Sequence, residues 1–337
     1  MRTAFTEEYE LDIPVASAGM AFVARAELVA AVSAAGGMGV LGGTAMPPAL
    51  LEQEIAAVRA STDRCFGVNF IARFCQPEHI DLCAGLRVPI VSFFWDNPER
   101  AWVDDLHAAG TRVWMQVGSV DEAADAVEMG TDLVIVQGVE AGGHNRSTAG
   151  TFSLVPAVVD AIAPVPVLAA GGIADGRGVV AAVALGADGA WIGTRFLAST
   201  EADAHRDYKA RLVDAGVDAT ARHWVFGLDF PHAPVRGLRN RIVVEHEGAD
   251  RPPPYEGLDP ASLPVIGNAD VFGQTVPLVR YTGLPPTARA TGDLEQMSLL
   301  AGESAGLIED VSPAGEITRR LVEEIGIAGS RISSGCE

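Results

Sequence analysis

The sequence predicts a (β/α)8 barrel that carries a smaller lid subdomain toward its C-terminal end. Over residues 11–200, eight short apolar runs alternate with helical patterns, and this is the arrangement of a barrel of parallel strands. Several runs are apolar throughout, as in Leu133–Val136, which is typical of strands buried on both faces. The alternation stops after about residue 200, so the barrel strands are expected to end there.

The predicted strands and helices follow one another at the spacing of βα units. Strands are expected at Ile13–Ala18, Met38–Leu41, Phe66–Phe70, Pro89–Phe93, Arg112–Val117, Leu133–Val136, Val167–Ala170 and Ala190–Ile192. Helices are expected at Ala26–Ala35, Leu50–Ala60, Pro98–Ala109, Val120–Met129, Val155–Ile162 and Gly178–Leu185. The alternative, an open doubly wound sheet, is disfavoured because the first turn, Ser17–Met20, lacks the GxGxxG fingerprint of dinucleotide-binding sheets.

Three parts are expected along the chain: a ligand-binding barrel over residues 1–217, a lid or insertion subdomain over 218–290, and a C-terminal helical segment over 291–337 that returns to the barrel. The middle part contains the proline run Arg251–Pro254 and no clean βα alternation. It is too rich in aromatic and aliphatic side chains for a solvated linker. The return to helix is predicted by the helix-like spacing of Leu294, Met297, Leu300 and Ala301.

Composition argues against several classes of function. The 337-residue chain has 24 Lys and Arg against 44 Asp and Glu, a formal net charge of −20, which argues against nucleic acid and anionic membranes as partners. No apolar run is long enough to span a bilayer, and the polar N-terminus has no signal-peptide pattern, so a cytoplasmic protein is expected. Metal-ligand spacing is absent around the cysteines, which are interpreted as reduced thiols: Cys65, Cys75, Cys83 and Cys336. No metal is expected.

A glycine-rich loop follows the sixth predicted strand and carries one imidazole, His144. Gly138, Gly142 and Gly143 leave the backbone open to close approach by a ligand, and a titratable imidazole beside them suits proton transfer. The alternative is a turn with a solvated surface histidine. Because ligands bind at the carboxyl ends of barrel strands, the loop is predicted to carry chemistry.

The turns after the seventh and eighth strands suit a phosphate group. Gly171 and Gly172 follow the seventh strand, and Gly193, Thr194 and Arg195 follow the eighth. Backbone N–H groups in such turns can bind phosphate oxygens. Two tight turns without a ligand are the alternative. Neutral polar side chains follow other strands and favour a polar heterocycle over a metal: Asn69, Ser92, Gln116 and Gln137.

Taken in order, these motifs resemble those of the FMN-dependent nitronate monooxygenases, formerly called 2-nitropropane dioxygenases, over nearly the whole chain. That family belongs to a TIM-barrel superfamily that also includes the FMN-type enoyl-ACP reductase. The matching segments are Pro14–Met20, Ala31–Gly39, Phe66–Asn69, Val91–Phe93, Gln137–His144, Ala169–Gly176, Leu185–Gly189, Gly193–Phe196 and Ala301–Leu307.

The resemblance implies FMN at the barrel mouth, with His144 as the catalytic base toward a carbon beside a nitro group. Alkyl nitronates or nitroalkanes would then react with O2 to give a carbonyl compound and nitrite. The strand ends and the resemblance together give the expected cofactor-binding residues: Gly19, Met20, Asn69, Gln116, Gln137, Gly142, Gly171, Gly172, Trp191, Ile192, Gly193 and Thr194. The expected partners are therefore a small-molecule substrate and O2, and a homodimer is a further open expectation.

Two features depart from the family pattern and, together with Ser92, mark candidates for the substrate pocket. Glu303 stands where the family usually has Gln, and the bulky Phe94 and Trp95 replace a smaller, glycine-ended loop. These rings either shape the pocket or pack under the lid. Two other functions stay open: an FMN- and NAD(P)H-dependent reductase of the enoyl-ACP or quinone reductase type, and a non-catalytic FMN-binding module, against which His144 argues.

Overall fold

Parallel strands form a closed barrel in the computed structural model, which describes residues 1–248 and 258–334. The first nine strands in chain order are β1 (Val15–Ser17), β2 (Gly39–Gly42), β3 (Phe66–Ile71), β4 (Ile90–Phe94), β5 (Arg112–Val117), β6 (Leu133–Gln137), β7 (Gly143–His144), β8 (Val167–Ala170) and β9 (Gly189–Ile192). All except β7 belong to the barrel. Strand β1 pairs with β9, and a parallel bridge between Ala16 and Met38 joins β1 to β2. The predicted (β/α)8 fold is confirmed.

The described helices lie around the barrel, at its amino-terminal end and in the segment after its last strand. They are α1 (Ala4–Glu8), α2 (Ala26–Ala34), α3 (Pro48–Ser61), α4 (Pro77–Gly85), α5 (Arg100–Ala108), α6 (Val120–Glu128), α7 (Thr151–Ile162), α8 (Gly176–Ala184), α9 (Thr194–Leu197), α10 (Arg206–Val213), α11 (Arg241–Glu245) and α12 (Ala314–Ser334). Helix α12 packs against both α8 and α2. It therefore fills the place in the ring that follows β9, and the segment between β9 and α12 interrupts the last βα unit.

Aromatic side chains fill the amino-terminal end of the barrel. Trp114 and Trp191 meet edge to face with 6.3 Å between their ring centroids. Helix α1 adds Phe5 and Tyr9, whose rings lie 5.7 and 5.4 Å from that of Trp114. Trp114 Nε1 donates a hydrogen bond of 3.1 Å to the Tyr9 hydroxyl. This end is closed by packing, so the opposite mouth is the end where polar side chains gather.

The segment between β9 and α12 contains two small antiparallel sheets. In the first, β10 (Thr220–His223) pairs with β11 (Val235–Leu238), and β11 pairs in turn with β7. In the second, β12 (Val265–Val271) pairs with β13 (Gln274–Val279) and with β14 (Thr291–Gly292). Residues 218–290 of this segment are called the lid. The first sheet connects the lid directly to the loop that carries His144. The proline run Arg251–Pro254 and Cys336 lie outside the described residues.

Some elements differ from the sequence-based prediction. The predicted return to helix is confirmed by α12 but is wrong at its start, because only a short 3-10 turn forms at Leu294–Gln296. The chain then runs beside β11, where the Leu238 N–H donates to the Leu299 carbonyl at 2.8 Å. The apolar residues of this segment therefore pack against a strand and do not form one face of a helix. Helix α4, absent from the prediction, begins at Pro77 behind a capping box formed by Gln76 and His79.

The contact between Trp114 and Tyr9 gives a test of this packing. Tyr9→Phe keeps the ring but removes the only described acceptor of the buried Trp114 N–H. Because an unpaired buried donor costs about 1–3 kcal/mol, we expect the free energy of unfolding to fall by about that amount, measured by urea denaturation. Phe152→Leu is the control, since Phe152 is 74% exposed. An unchanged free energy for Tyr9→Phe would contradict the assigned hydrogen bond.

Candidate active site

The loop after β6 is held by a buried asparagine. Asn145 is fully buried, and its Nδ2 donates to the carbonyl oxygens of Gly138, Val139 and Ala141 at 3.1, 3.2 and 2.9 Å. These bonds fold the loop back on itself over the end of β6. The neighbouring residue, His144, is therefore positioned by the loop interior rather than by bonds of its own side chain.

The lid fixes the other side of the same loop. Val235 is the register partner of His144 in the pairing of β11 with β7, and the Asn145 N–H donates to the Pro234 carbonyl at 2.8 Å. From below, Gln137 Nε2 donates to the His144 carbonyl at 3.0 Å. The backbone of His144 is thus clamped between the end of a barrel strand and a strand of the lid.

Aromatic rings surround the His144 imidazole. The Phe230 ring centroid lies 4.8 Å from that of His144, and the Trp95 centroid lies 5.8 Å away. The Nε2 atom is buried and has no hydrogen-bond partner among the described residues. Burial lowers the pKa of His144 to about 4, because an apolar surrounding disfavours the charged imidazolium. The ring is therefore neutral near pH 7 and leaves one nitrogen free for a ligand.

Polar side chains follow the apolar layers of the barrel at this mouth. Because side chains alternate along a strand, Ser92, Gln116 and Gln137 share the inward face with core residues of their own strands. Asn69 points inward as well, since its neighbours Val68 and Phe70 pack in the outer core. Asn69 Nδ2 donates to the Gly19 carbonyl at 3.0 Å, and its Oδ1 accepts from Ser92 Oγ at 2.8 Å. Ser92 is fully buried. It therefore orients Asn69 and does not line the pocket, contrary to the expectation from the sequence.

Several groups at the mouth have unused hydrogen-bonding capacity. Gln137 Oε1 is buried and has no partner among the described residues. Among the described residues, no acceptor is hydrogen-bonded to the backbone N–H of Gly172 or Gly193. Gly171 and Gly172 both have positive φ, 105° and 74°, which favours glycine. The unpaired acceptor oxygen suits a heterocyclic N–H, and the free amides at the last two strand ends suit a phosphate group.

Other predicted cofactor residues occupy less open positions. A side chain on Gly142 would lie 2.4 Å from the Gly302 nitrogen, so this glycine admits the chain at 301–302 rather than a ligand. The Ile192 side chain packs in the outer core, whereas Trp191 faces the barrel interior. Thr194 Oγ1 accepts from the Gly302 N–H at 3.0 Å, which commits part of its capacity to the same segment.

The remaining predicted positions are distributed around the mouth. Gly19 lies against Asn69, where a Cβ would approach the Asn69 Cβ to 2.3 Å. Met20 is half-buried, with its sulfur 3.9 Å from the Cβ position of Gly193. Gln116 is half-buried at the end of β5, next to Phe94 in the register. Phe94 itself is 9% exposed and packs on Trp95 with 5.5 Å between centroids.

The two charges expected near the site are both paired. Glu303 Oε1 lies 3.1 Å from Arg236 Nη1, and Arg236 Nε donates to the Val139 carbonyl at 2.8 Å. The carboxylate that replaces the family's Gln is therefore balanced by a guanidinium from β11. Arg195 is buried and pairs with the half-buried Asp310 at 3.0 Å, so its charge is already balanced within the protein.

Three residues of the site were not found from the sequence. Asn145 follows His144 directly, but no local sequence pattern indicates that its side chain is buried and bonds to the loop. Phe230 and Arg236 come from the lid, and they reach the site only because β11 pairs with β7. The clustering of Trp224, Phe226 and Phe230 was the available signal for Phe230.

Clusters of metal-ligating side chains and helices able to cross a membrane are both absent from the described residues. Residues 1–248 and 258–334 contain no group of three or more His, Cys, Asp or Glu side chains placed to hold a metal ion. Within the same ranges, no helix has the length and apolar character needed to cross a membrane. Cys65, Cys75 and Cys83 are free thiols, as predicted.

The fold and the site together define a cofactor-dependent enzyme built on a (β/α)8 barrel. The chain matches the nitronate monooxygenase family over residues 2–78 and 73–324, and it belongs to that family. This membership makes it an oxidoreductase of a flavin-dependent group. The family resemblance seen in the sequence is confirmed.

Named relatives within the same fold differ in their activities. The (3aS,4S,5R,7aS)-5-hydroxy-7a-methyl-1-oxo-octahydro-1H-indene-4-carboxyl-CoA dehydrogenase of Rhodococcus jostii (strain RHA1) is 39% identical over 252 residues, covering 74% of this chain and 69% of the relative. FabK from Thermotoga maritima is 34% identical, with a TM-score of 0.81 over 99% of both chains. Nitroalkane oxidase from Streptomyces ansochromogenes is 28% identical, with a TM-score of 0.78 over 98% of this chain and 100% of the other.

The close approach at Gly142 provides a test of how the loop is held. Gly142→Ala places a methyl group 2.4–2.8 Å from backbone atoms of Ala301 and Gly302. Because overpacking against backbone typically costs about 1–3 kcal/mol, we expect the free energy of unfolding in urea to fall by that amount. Gly85→Ala is the matched control, since its Cβ would meet nothing within 4 Å. Equal stability of the two variants would contradict the tight contact.

Proposed function

We propose that this protein is an FMN-dependent nitronate monooxygenase, which oxidises alkyl nitronates and nitroalkanes with O2 to a carbonyl compound and nitrite. The observation that carries the proposal is the neutral His144 imidazole, whose buried Nε2 has no partner among the described residues. It lies above a ring of neutral polar groups at the barrel mouth. The family match and the nitroalkane oxidase neighbour support this choice of substrate.

The groups at the mouth suit FMN in particular. Gln137 Oε1 would accept from the flavin ring, and the Gly172 and Gly193 amides would bind the phosphate. Asn69, oriented by Ser92 and the Gly19 carbonyl, would lie beside the ring. When bound, FMN supplies the capacity to accept an electron pair from the substrate and to pass electrons to O2.

His144 has a different task for each protonation state of the substrate. A neutral nitroalkane must lose a proton from the carbon beside the nitro group, and the free Nε2 is the group available to take it. With a pKa of about 4, His144 is a weak base, so this step is demanding. A nitronate has already lost that proton, so its oxidation requires no base and His144 only contacts it. We therefore propose nitronates as the better substrates.

A second candidate function is that of an NAD(P)H-dependent reductase or a dehydrogenase. The observation that favours it is the identity of 39% to the Rhodococcus dehydrogenase and of 34% to FabK, both above the 28% to the nitroalkane oxidase. The same His144 loop and polar mouth serve either activity, because both need a positioned proton-transfer group beside a flavin.

Anaerobic mixing separates the two candidates. For a monooxygenase, we expect ethylnitronate to bleach the visible flavin absorbance within the mixing experiment, while NADPH and NADH leave it unchanged. Nitrite release on admitting air is the positive control. Rapid bleaching by a nicotinamide, with no response to the nitronate, would establish the second candidate and overturn the first.

Replacing the imidazole tests its part in proton removal. For His144→Gln we expect kcat/KM to fall by about 10²–10⁴ with neutral nitroethane and by much less with its nitronate, since only the former must lose a proton. Flavin content, read from visible absorbance, should be retained. In the wild type, a pKa lowered to about 4 keeps the base form present as pH falls, so activity on nitroethane should decline only near pH 4. Equal losses on both substrates would remove His144 from proton transfer.

A further inference from the structure

Phe230 lies over the reactive imidazole although it belongs to the lid. Its side chain is 3% exposed, and its centroid lies 4.8 Å from that of His144. The Nε2 atom of His144 is buried beneath such contacts. A substrate atom can therefore reach this buried nitrogen only by displacing part of the ring cluster around it, to which Phe230 belongs.

The space that Phe230 fills has the size and lining of a site for a six-membered ring. Trp95 and Phe74 approach it edge to face, with centroid distances of 5.2 and 5.3 Å. The Arg73 guanidinium lies 5.5 Å from its centroid, within cation–π range. These are the contacts by which proteins hold a planar apolar ligand, and here a side chain of the protein makes them.

The closed arrangement leaves the imidazole unsatisfied. Phe230 offers no polar atom, so the buried Nε2 of His144 has no partner among the described residues. An unpaired buried polar atom costs free energy that a ligand atom could recover. A substrate that supplied both a ring in place of Phe230 and a polar group at Nε2 would satisfy both parts of the site at once.

The backbone around Phe230 is anchored on both sides. Asp229 Oδ2 accepts from Thr282 Oγ1 and from the Gly283 N–H, at 2.6 and 2.8 Å. On the other side, the Pro234 carbonyl accepts from the Asn145 N–H. Residues 230–233 lie between these anchors in a turn without helix or strand. A movement confined to this short turn would carry Phe230 out of its place without breaking either anchor.

We propose that Phe230 is a plug that occupies the place of the substrate's ring, and that the natural substrate carries an aromatic or alicyclic ring beside its reacting carbon. Only the identity of the reaction at that carbon rests on the proposed function. Displacement of the plug and recognition of the ring are properties of the cage formed by Trp95, Phe74, Arg73 and His144, whichever oxidation follows.

Chemical modification of His144 tests the plug without turnover. Diethyl pyrocarbonate acylates unprotonated imidazole nitrogens, and the rate at His144 can be read by peptide mass spectrometry on the purified full-length protein at neutral pH. We expect Phe230→Ala to raise that rate at least tenfold over wild type. Exposed His107 is the internal reference, and Phe152→Ala is the control variant, since that ring lies on the surface.

Ring recognition is tested in the same assay by adding an alcohol with or without a ring. In Phe230→Ala, benzyl alcohol should slow the modification of His144 at least fivefold, whereas 1-butanol should not. Phe230→Leu, which keeps apolar volume and guards against misfolding of the Ala variant, should give an intermediate rate.

Two outcomes would overturn the proposal. The first is fast modification of His144 in the wild type, equal to that of both variants, because the nitrogen would then be open without displacement of Phe230. The second is equal protection by both alcohols, because the vacated space would then not select a ring. Neither result bears on nitronate oxidation, which the anaerobic experiment tests separately.

Discussion

The side-chain amide of Asn145 is the contact on which the geometry of the site depends. The two N–H hydrogens of one buried nitrogen are shared among three carbonyl groups of the preceding loop. Arg222 from β10 donates to the Asn145 carbonyl, so the lid holds this residue as well. Because the loop is fixed through its neighbour, His144 needs no hydrogen bond from its own ring, and its Nε2 stays available. A reactive group that is held in place by its backbone keeps its side chain free for substrate.

Much of the barrel could be read from local pattern, whereas the cage around His144 could not. Runs such as Leu133–Val136 are apolar on both faces because they are buried on both, and each predicted barrel strand is present. The polar groups at the strand ends follow from the same alternation. The direction of the Ile192 side chain also follows from it, but the use of Gly142 to admit residues 301–302 does not. Phe230 and Arg236 reach the site through the pairing of β11 with β7, a contact between segments distant in sequence that no local periodicity encodes.

Charge is arranged differently at the surface and at the site. The chain as a whole carries a net charge of −20, yet the groups that face His144 are uncharged rings. Two carboxylates lie at the loop: Glu140 accepts from the Thr151 N–H and hydroxyl, and Glu303 is paired with Arg236, whose guanidinium also bonds to the Val139 carbonyl. This pair neutralises Glu303 and ties the lid to the loop at the same time. The low polarity that results explains why burial, and no neighbouring charge, dominates the lowered pKa of His144.

The insertion between β9 and α12 has a consequence for the order in which the molecule can be completed during synthesis. The barrel needs β1 beside β9, and the ring of helices needs α12 between α8 and α2. A ribosome must therefore finish the whole lid before it produces the helix that covers the last flank of the barrel. Until residues 314–334 emerge, the apolar outer faces of β1 and β9 have no final cover, and such exposed surface favours aggregation or chaperone binding. A lid placed inside the last βα unit thus makes completion of the barrel depend on the last part of the described chain.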